Sequence, residues 1–175
     1  MLPPIPTWDA MHPLIVHFPI ALFIIAVVCE LLAYFLKSRL LNFAALINGA
    51  VAAFAALAAV ITGLMAKPLV KSGPAVFVLE SHETMGYLVL ATAVAFAATK
   101  IYSYLKQSDK YLTTAIAIGL LGVVFTIVAA HEGGELVYQH GVGINKAPQK
   151  QLNQYPYGKP LTADPDSTVD STDAN

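Results

Sequence analysis

The sequence predicts an all-α integral membrane protein, an antiparallel four-helix bundle with a disordered polar C-terminal tail. Of the 175 residues, 57% are hydrophobic and only 12% are charged, a composition more apolar than that of ordinary soluble domains. Four apolar runs are each long enough to cross a hydrocarbon core about 30 Å thick, which takes roughly 20 helical residues. These runs are continuously apolar, which favours helices over the alternating pattern of transmembrane strands.

The four predicted spans follow one another along the first three quarters of the chain. They cover residues 13–36, 41–66, 84–99 (extended by the segment IYSYL) and 111–130. The segments KSR and KQSDK, which join the first span to the second and the third to the fourth, are short. Such short connections place neighbouring helices side by side and antiparallel.

Three regions are expected. Residues 1–11 form an N-terminal segment on the outer side, and residues 12–144 form the four-helix transmembrane domain. Residues 145–175 form the tail, which is polar, contains several prolines and is acidic at its end. We expect it to be largely disordered because it has too little apolar surface to form a core.

Basic residues predict the orientation of the bundle. Five lie at or near the two short connections and two lie in the long loop between the second and third spans: Lys37, Arg39, Lys100, Lys106 and Lys110 against Lys67 and Lys71. By the positive-inside rule the short connections face the cytoplasm, so both termini face outward. The N-terminus has no basic region followed by a cleavage site, so we interpret the first span as an uncleaved anchor.

All five histidines fall on the predicted outer side: His12, His17, His82, His131 and His140. Three separate spans contribute histidines at similar depth. Neutral imidazole nitrogens bind haem iron, zinc or copper, and the core of a helical bundle is where such ligands are placed. The pattern therefore indicates a cofactor or metal site at this end of the bundle.

For a haem, the predicted ligands are His17 together with His82 or His131. Five residues of regular helix rotate by about 140°, so His12 and His17 do not both point at one centre. His17 lies deeper along the first span and is the preferred ligand, which leaves His12 at the surface or in a supporting position.

A non-haem metal site is the alternative, with ligands drawn from histidines and nearby carboxylates: His12, His140, Glu132 and Glu135. Glu83, beside His82, is assigned a supporting or proton-carrying role. Glu30 is expected to be the only charge within a span, and it carries protons or is neutral and hydrogen-bonded to Asn42 or Asn48.

Two segments resemble the signature segments of a bacterial family of four-helix membrane proteins, catalogued as domain of unknown function 2231. They are HPLIVHFPIALF near the start of the chain and GGELVYQHGVGI after the fourth span. The resemblance covers roughly residues 12–144. It implies the four-helix fold and a multi-pass location in the bacterial inner membrane, and it carries no established activity.

Three interpretations of function remain open. The first is a small electron carrier with b-type haem, whose partners are a quinone or an outer-side cytochrome. The second is a membrane protein that binds copper, zinc or iron, and the third is a structural subunit without a cofactor. Whether the bundle forms an oligomer is left open.

The net charge of −1 gives no reason to expect nucleic acid as a partner. No catalytic residue is assigned, because the sequence lacks a phosphate loop, a Ser-His-Asp pattern and a Cys-x-x-Cys pair.

Overall fold

The computed structural model describes residues 11–70 and 73–143, and within them all regular structure is helical. The helices are α1 (His12–Ile15), α2 (His17–Leu36), α3 (Arg39–Ala66), α4 (Ala75–Lys106) and α5 (Leu112–Tyr138), with short 3-10 turns at Lys67–Leu69 and Asp109–Tyr111. The predicted N-terminal segment, apart from residue 11, and the predicted tail lie outside the described residues.

The predicted all-α membrane bundle is confirmed. Four helical stretches are long and apolar enough to cross a membrane: His12–Leu36, Arg39–Ala66, Ala75–Lys106 and Asp109–Tyr138. Consecutive helices pack against each other, and α5 also packs against α2, which closes the ring. Large apolar side chains cover the outside of the bundle; Phe54 and Phe77, for example, are more than 70% exposed. Such a surface suits lipid rather than water.

Two helices are longer than the sequence predicted. The third span begins at Ala75 rather than near residue 84, directly after Pro74 at the N-cap position, where proline is tolerated because no helical hydrogen bond is lost. The fourth continues to Tyr138 rather than ending at residue 130. The fourth span therefore passes unbroken through Gly133 and Gly134, which helps to keep Gly133 packed against α4.

The first span is interrupted at Val16, which separates α1 from α2. Pro19 explains the interruption, because it has no N–H to donate to the carbonyl group of Ile15 four residues earlier. The backbone resumes its helical bonding one residue later, where the Ile20 N–H donates to Val16. The short α1 thus holds His12 on a separate turn at the end of the bundle.

Two phenylalanines fill the middle of the bundle. The rings of Phe23 on α2 and Phe96 on α4 are fully buried and lie edge to face with centroids 5.7 Å apart. Gly49, Gly119 and Gly122 lie directly beneath them, and a Cβ atom at any of the three would collide with a neighbouring side chain. The glycines allow α3 and α5 to approach the aromatic pair closely, as small residues do in membrane bundles.

The chain contains an internal repeat of one helical hairpin. Residues of α2 and α3 correspond to residues of α4 and α5 that lie 70 positions later in the chain. At eight pairs of corresponding positions, the residues of both hairpins are buried. The coinciding pairs are Phe23 and Ala93, Ala26 and Phe96, Val27 and Ala97, Glu30 and Lys100, Ala45 and Ala115, Gly49 and Gly119, Ala52 and Gly122, and Ala56 and Thr126. Since α2 and α4 run in the same direction, the two hairpins are related by a pseudo-twofold axis along the bundle.

Side chains from the first span meet side chains of α4 at two further levels along this axis. At one end, which we call the histidine end, the rings of His12 and His82 are in contact. At the other end, which carries the two short connections and which we call the turn end, Glu30 is paired with Lys100. Both pairs join residues that are equivalent in the repeat.

The structure corrects the prediction for Lys100 and Glu30. Lys100, counted as a cytoplasmic residue, lies inside α4 and is only 2% exposed, so Glu30 is not the only charge within a span. The Lys100 ammonium donates to Glu30 Oε2 at 2.5 Å and to Asn42 Oδ1 at 2.7 Å. Asn42 therefore binds the lysine rather than the glutamate, while Asn48 donates to the carbonyl of Ala44 within its own helix.

We expect Gly122→Ala to destabilise the protein by about 1–3 kcal/mol, the typical cost of overpacking a core. The new methyl group would collide with the ring of Phe23. Gly86→Ala is the matched control, since nothing lies within 4 Å of its Cβ position on α4, and the change should be neutral or slightly stabilising. Thermal unfolding in detergent measures both, and equal melting temperatures would contradict the packing described here.

A charge exchange tests the pairing across the axis. Glu30→Lys alone places two ammonium groups in the core, and we expect a loss of at least about 3–5 kcal/mol, the range for a broken buried ion pair. Adding Lys100→Glu restores an opposite pair at equivalent positions, so the double variant should recover most of the loss. The recovery is incomplete because Asn42 contacts only the lysine side. Thermal unfolding that shows no recovery in the double variant would contradict the equivalence of the two positions.

Candidate functional site

His12 lies at the histidine end, facing α3. Its Nδ1 is 3.0 Å from the carbonyl oxygen of Ala59 and 3.2 Å from Thr62 Oγ1. The Thr62 hydroxyl donates to the carbonyl of Ala58, 2.9 Å away, so its oxygen is available to accept from the imidazole. Gly63, one turn beyond Ala59, packs against the ring, and a Cβ there would lie 3.0 Å from His12 Cε1.

His82 on α4 makes the equivalent contacts with α5. Its Nδ1 is 3.0 Å from the carbonyl oxygen of Ala129, and Gly133 packs against its ring with a Cβ position 3.2 Å from Cε1. Histidine and carbonyl are 47 residues apart in both cases. The internal repeat thus places the same hydrogen bond and the same glycine beside each ring.

These hydrogen bonds define the tautomer of both rings. A carbonyl oxygen only accepts, so each Nδ1 must carry a hydrogen and donate it. In the neutral ring the lone pair is then on Nε2, the nitrogen that remains able to bind a metal. Histidine ligands of metals in proteins are usually oriented in this way, by donating their other N–H to a carbonyl or carboxylate.

The two rings lie close together and nearly perpendicular. Their centroids are 6.2 Å apart and their planes meet at 83°. Two imidazoles that bind one metal ion through bonds of about 2.0–2.1 Å have centroids no more than roughly 6–6.5 Å apart. The separation of the two rings therefore lies within the range open to two imidazoles that bind one metal ion.

Carboxylates near the two rings are bound to other partners. Glu132 Oε1 accepts from the Ser81 hydroxyl at 2.5 Å, and Glu83 Oε2 accepts from the Lys67 ammonium at 2.9 Å. The Glu83 carboxylate raises the pKa of Lys67. Lys67 is about half exposed, so this pair contributes little to stability. Neither glutamate is hydrogen-bonded to an imidazole among the described residues.

The structure places the other predicted ligands outside this pair. His17 and His131 are exposed, and His131 lines a shallow open groove of about 280 Å³ on α5 with Glu135. His140 approaches Glu135, with Nε2 3.9 Å from Oε1. The expected pairing of His17 with His82 or His131 is therefore not the arrangement found. The ring that lies beside His82 is that of His12 rather than that of His17.

The geometry does not support a metal site with more protein ligands than the two imidazoles. Within residues 11–70 and 73–143, no three side chains of histidine, cysteine, aspartate or glutamate are grouped so that they could bind one ion. Glu132, Glu135 and His140, predicted for a non-haem metal, do not join His12. The site consists of two imidazoles.

Two patterns in the sequence point to the histidine pair once the buried face of the first span is known from the structure. His12 is in phase with the buried face of the first span, which continues through Pro19, Phe23 and Glu30, whereas His17 is out of phase with it. In addition, His12 and His82 are separated by the 70-residue period of the internal repeat. The same period relates Glu30 to Lys100 and would have revealed Lys100 as a buried residue.

The bundle is a four-helix membrane protein with a histidine pair at one end, and comparison with protein families agrees with this class. The family described as "Predicted membrane protein (DUF2231)" matches residues 9–146. The chain belongs to this family, as the two signature segments predicted. Comparison with curated proteins gave no match, and comparison with solved structures gave none.

The tautomers of the histidines are directly measurable. In ¹⁵N-histidine-labelled protein above the imidazole pKa, we expect His12 and His82 to carry hydrogen on Nδ1, because each donates to a carbonyl. The exposed His17 and His131 should show mainly the Nε2–H form that predominates in water. Imidazole ¹⁵N chemical shifts distinguish the two forms, with His→Gln variants for assignment. Nε2–H signals from both His12 and His82 would contradict the hydrogen bonds described here.

Proposed function

We propose that the protein is a small membrane electron carrier in which His12 and His82 would hold one b-type haem. The observation that carries the proposal is the pair of equivalent imidazoles, each oriented by a backbone carbonyl and separated by 6.2 Å. Such ligation by two histidines from separate helices is a common way of binding haem in helical bundles.

The number of ligands favours haem over a bare metal ion. Structural zinc sites take four protein ligands, and catalytic ones usually take three. The histidine pair offers two, and no larger group exists among the described residues. A porphyrin supplies four nitrogens of its own, so two imidazoles complete the coordination of its iron.

The residues of the chain have separate tasks in this proposal. His12 and His82 would bind iron through Nε2, and the carbonyls of Ala59 and Ala129 hold the rings in position. Gly63 and Gly133 leave space beside the rings where a side chain would collide. Haem supplies one-electron chemistry when bound. The electron partners that suit this position are a membrane quinone or a cytochrome on the side that the histidine end faces.

Absorption spectra of variants expressed with ample haem test the proposal. We expect a Soret band, and sharp α and β bands on reduction with dithionite, in the wild-type protein. His12→Ala and His82→Ala should each abolish these bands, because each removes one of the two imidazoles that would hold the haem. His17→Ala and His131→Ala are the matched controls at the same end of the bundle, and both should retain wild-type haem content.

Other outcomes separate the alternatives. A featureless spectrum from folded wild-type protein would overturn the haem assignment. Elemental analysis that then finds stoichiometric copper, zinc or iron, lost in His12→Ala, would favour the non-haem metal site. No metal and no haem would favour a structural subunit.

A further inference from the structure

The Glu30–Lys100 pair lies at the turn end, and it has no role in the haem site proposed at the histidine end. Glu30 is completely buried and Lys100 is 2% exposed. Replacing a buried ion pair by apolar side chains is often neutral or stabilising, so stability alone does not account for it. Ionisable residues within membrane spans usually mark sites for protons, ions or substrates. We propose that Glu30, Lys100 and Ser103 bind an internal water molecule, through which Glu30 exchanges protons with the aqueous phase at the turn end.

The first observation is an incomplete set of hydrogen bonds at the pair itself. Glu30 Oε2 accepts from Lys100, but the buried Glu30 Oε1 has no hydrogen-bond partner among the described residues. Lys100 donates to Glu30 and to Asn42, and an ammonium group has three hydrogens. One acceptor and one donor are therefore available at the same buried position.

The second observation concerns the next turn of α4. Ser103 follows Lys100 by three residues, which places it on the same face of the helix one turn nearer the turn end. Its Oγ atom is also buried without a hydrogen-bond partner among the described residues. The equivalent residue of the other hairpin is Ala33, which is 5% exposed, so Ser103 supplies the only hydroxyl of these two equivalent positions.

These groups meet the requirements of a buried water site. Internal waters typically make about three hydrogen bonds to buried polar groups that otherwise lack partners. Glu30 Oε1 and Ser103 Oγ supply acceptors, and Lys100 supplies a donor. A water molecule bound by all three would give partners to Glu30 Oε1 and Ser103 Oγ, the two unpaired side-chain atoms at the turn end of the described core.

Access is expected from the turn end alone. Toward the histidine end, the axis next to the pair is closed by the buried apolar residues Val27, Ala97, Phe23 and Phe96. Toward the turn end, Ser103 is followed within one turn by the end of α4 at Lys106. Two charged groups act on Glu30, namely Lys100 from α4 and Asp109 at the start of the last span. Asn42 from α3 acts indirectly, because it accepts a hydrogen bond from Lys100. The sequence predicts that this end faces the cytoplasm.

Infrared spectroscopy of the full-length protein in liposomes tests the proposal. As the pH is lowered and Glu30 takes up a proton from the aqueous phase, we expect a protonated-carboxyl C=O band that Glu30→Gln removes and that shifts promptly when H₂O is replaced by D₂O. Ser103→Val leaves the ion pair intact and removes the proposed water ligand. It should slow this isotope exchange by an order of magnitude or more.

Thr99→Val is the matched control on the same helix, because the Thr99 hydroxyl already donates to the carbonyl of Ala95 at 2.8 Å. It should exchange at the wild-type rate. The absence of any Glu30-dependent band that exchanges in D₂O would overturn the proposal. So would equal exchange rates in wild type and Ser103→Val. Neither result depends on haem, so failure here and failure of the haem proposal are distinguishable.

Discussion

The contact between α2 and α4 along the bundle axis is the constraint on which the rest of the structure depends. These helices are diagonal partners, and their approach requires Phe23 and Phe96 to interlock over glycines of α3 and α5. In lipid, helices gain little from removing apolar surface from water, so close packing of this kind provides much of the association. The pairing of Glu30 on α2 with Lys100 on α4 follows from this close approach of the two helices.

The repeat explains why one axis carries two polar sites. Equivalent positions of two hairpins meet on a pseudo-twofold axis, so a histidine in each hairpin produces a pair of identical groups. At the turn end the equivalent residues differ, and Glu30 meets Lys100. Two like charges at that position would repel each other in a low-dielectric core, whereas opposite charges attract. The pair therefore favours the association of two unlike hairpins in one register.

The two imidazoles at the histidine end are oriented by the backbone rather than by neighbouring carboxylates. Ala59 and Ala129 offer carbonyl groups to the two Nδ1 atoms, and the following glycines allow each ring to lie against the helix. Glu83 and Glu132, which stood out in the sequence as acidic neighbours of histidines, are bound to Lys67 and Ser81 instead. A site built on helical carbonyls is rigid, because those atoms move only with the helices.

The sequence by itself determined the number of spans, their antiparallel order and the grouping of the histidines at one end, because helix length and hydropathy are properties of local segments. Because His12 and His17 are five residues apart on one helix, the sequence also predicted that only one of them faces inward. Only the tertiary structure decided that this residue is His12, since the break at Val16 and the phase of the buried face set the direction of each ring. Likewise, the burial of Lys100 depends on Glu30, a partner 70 residues away. A charge near a helix end is interpreted as exposed until the opposite charge across the bundle is known.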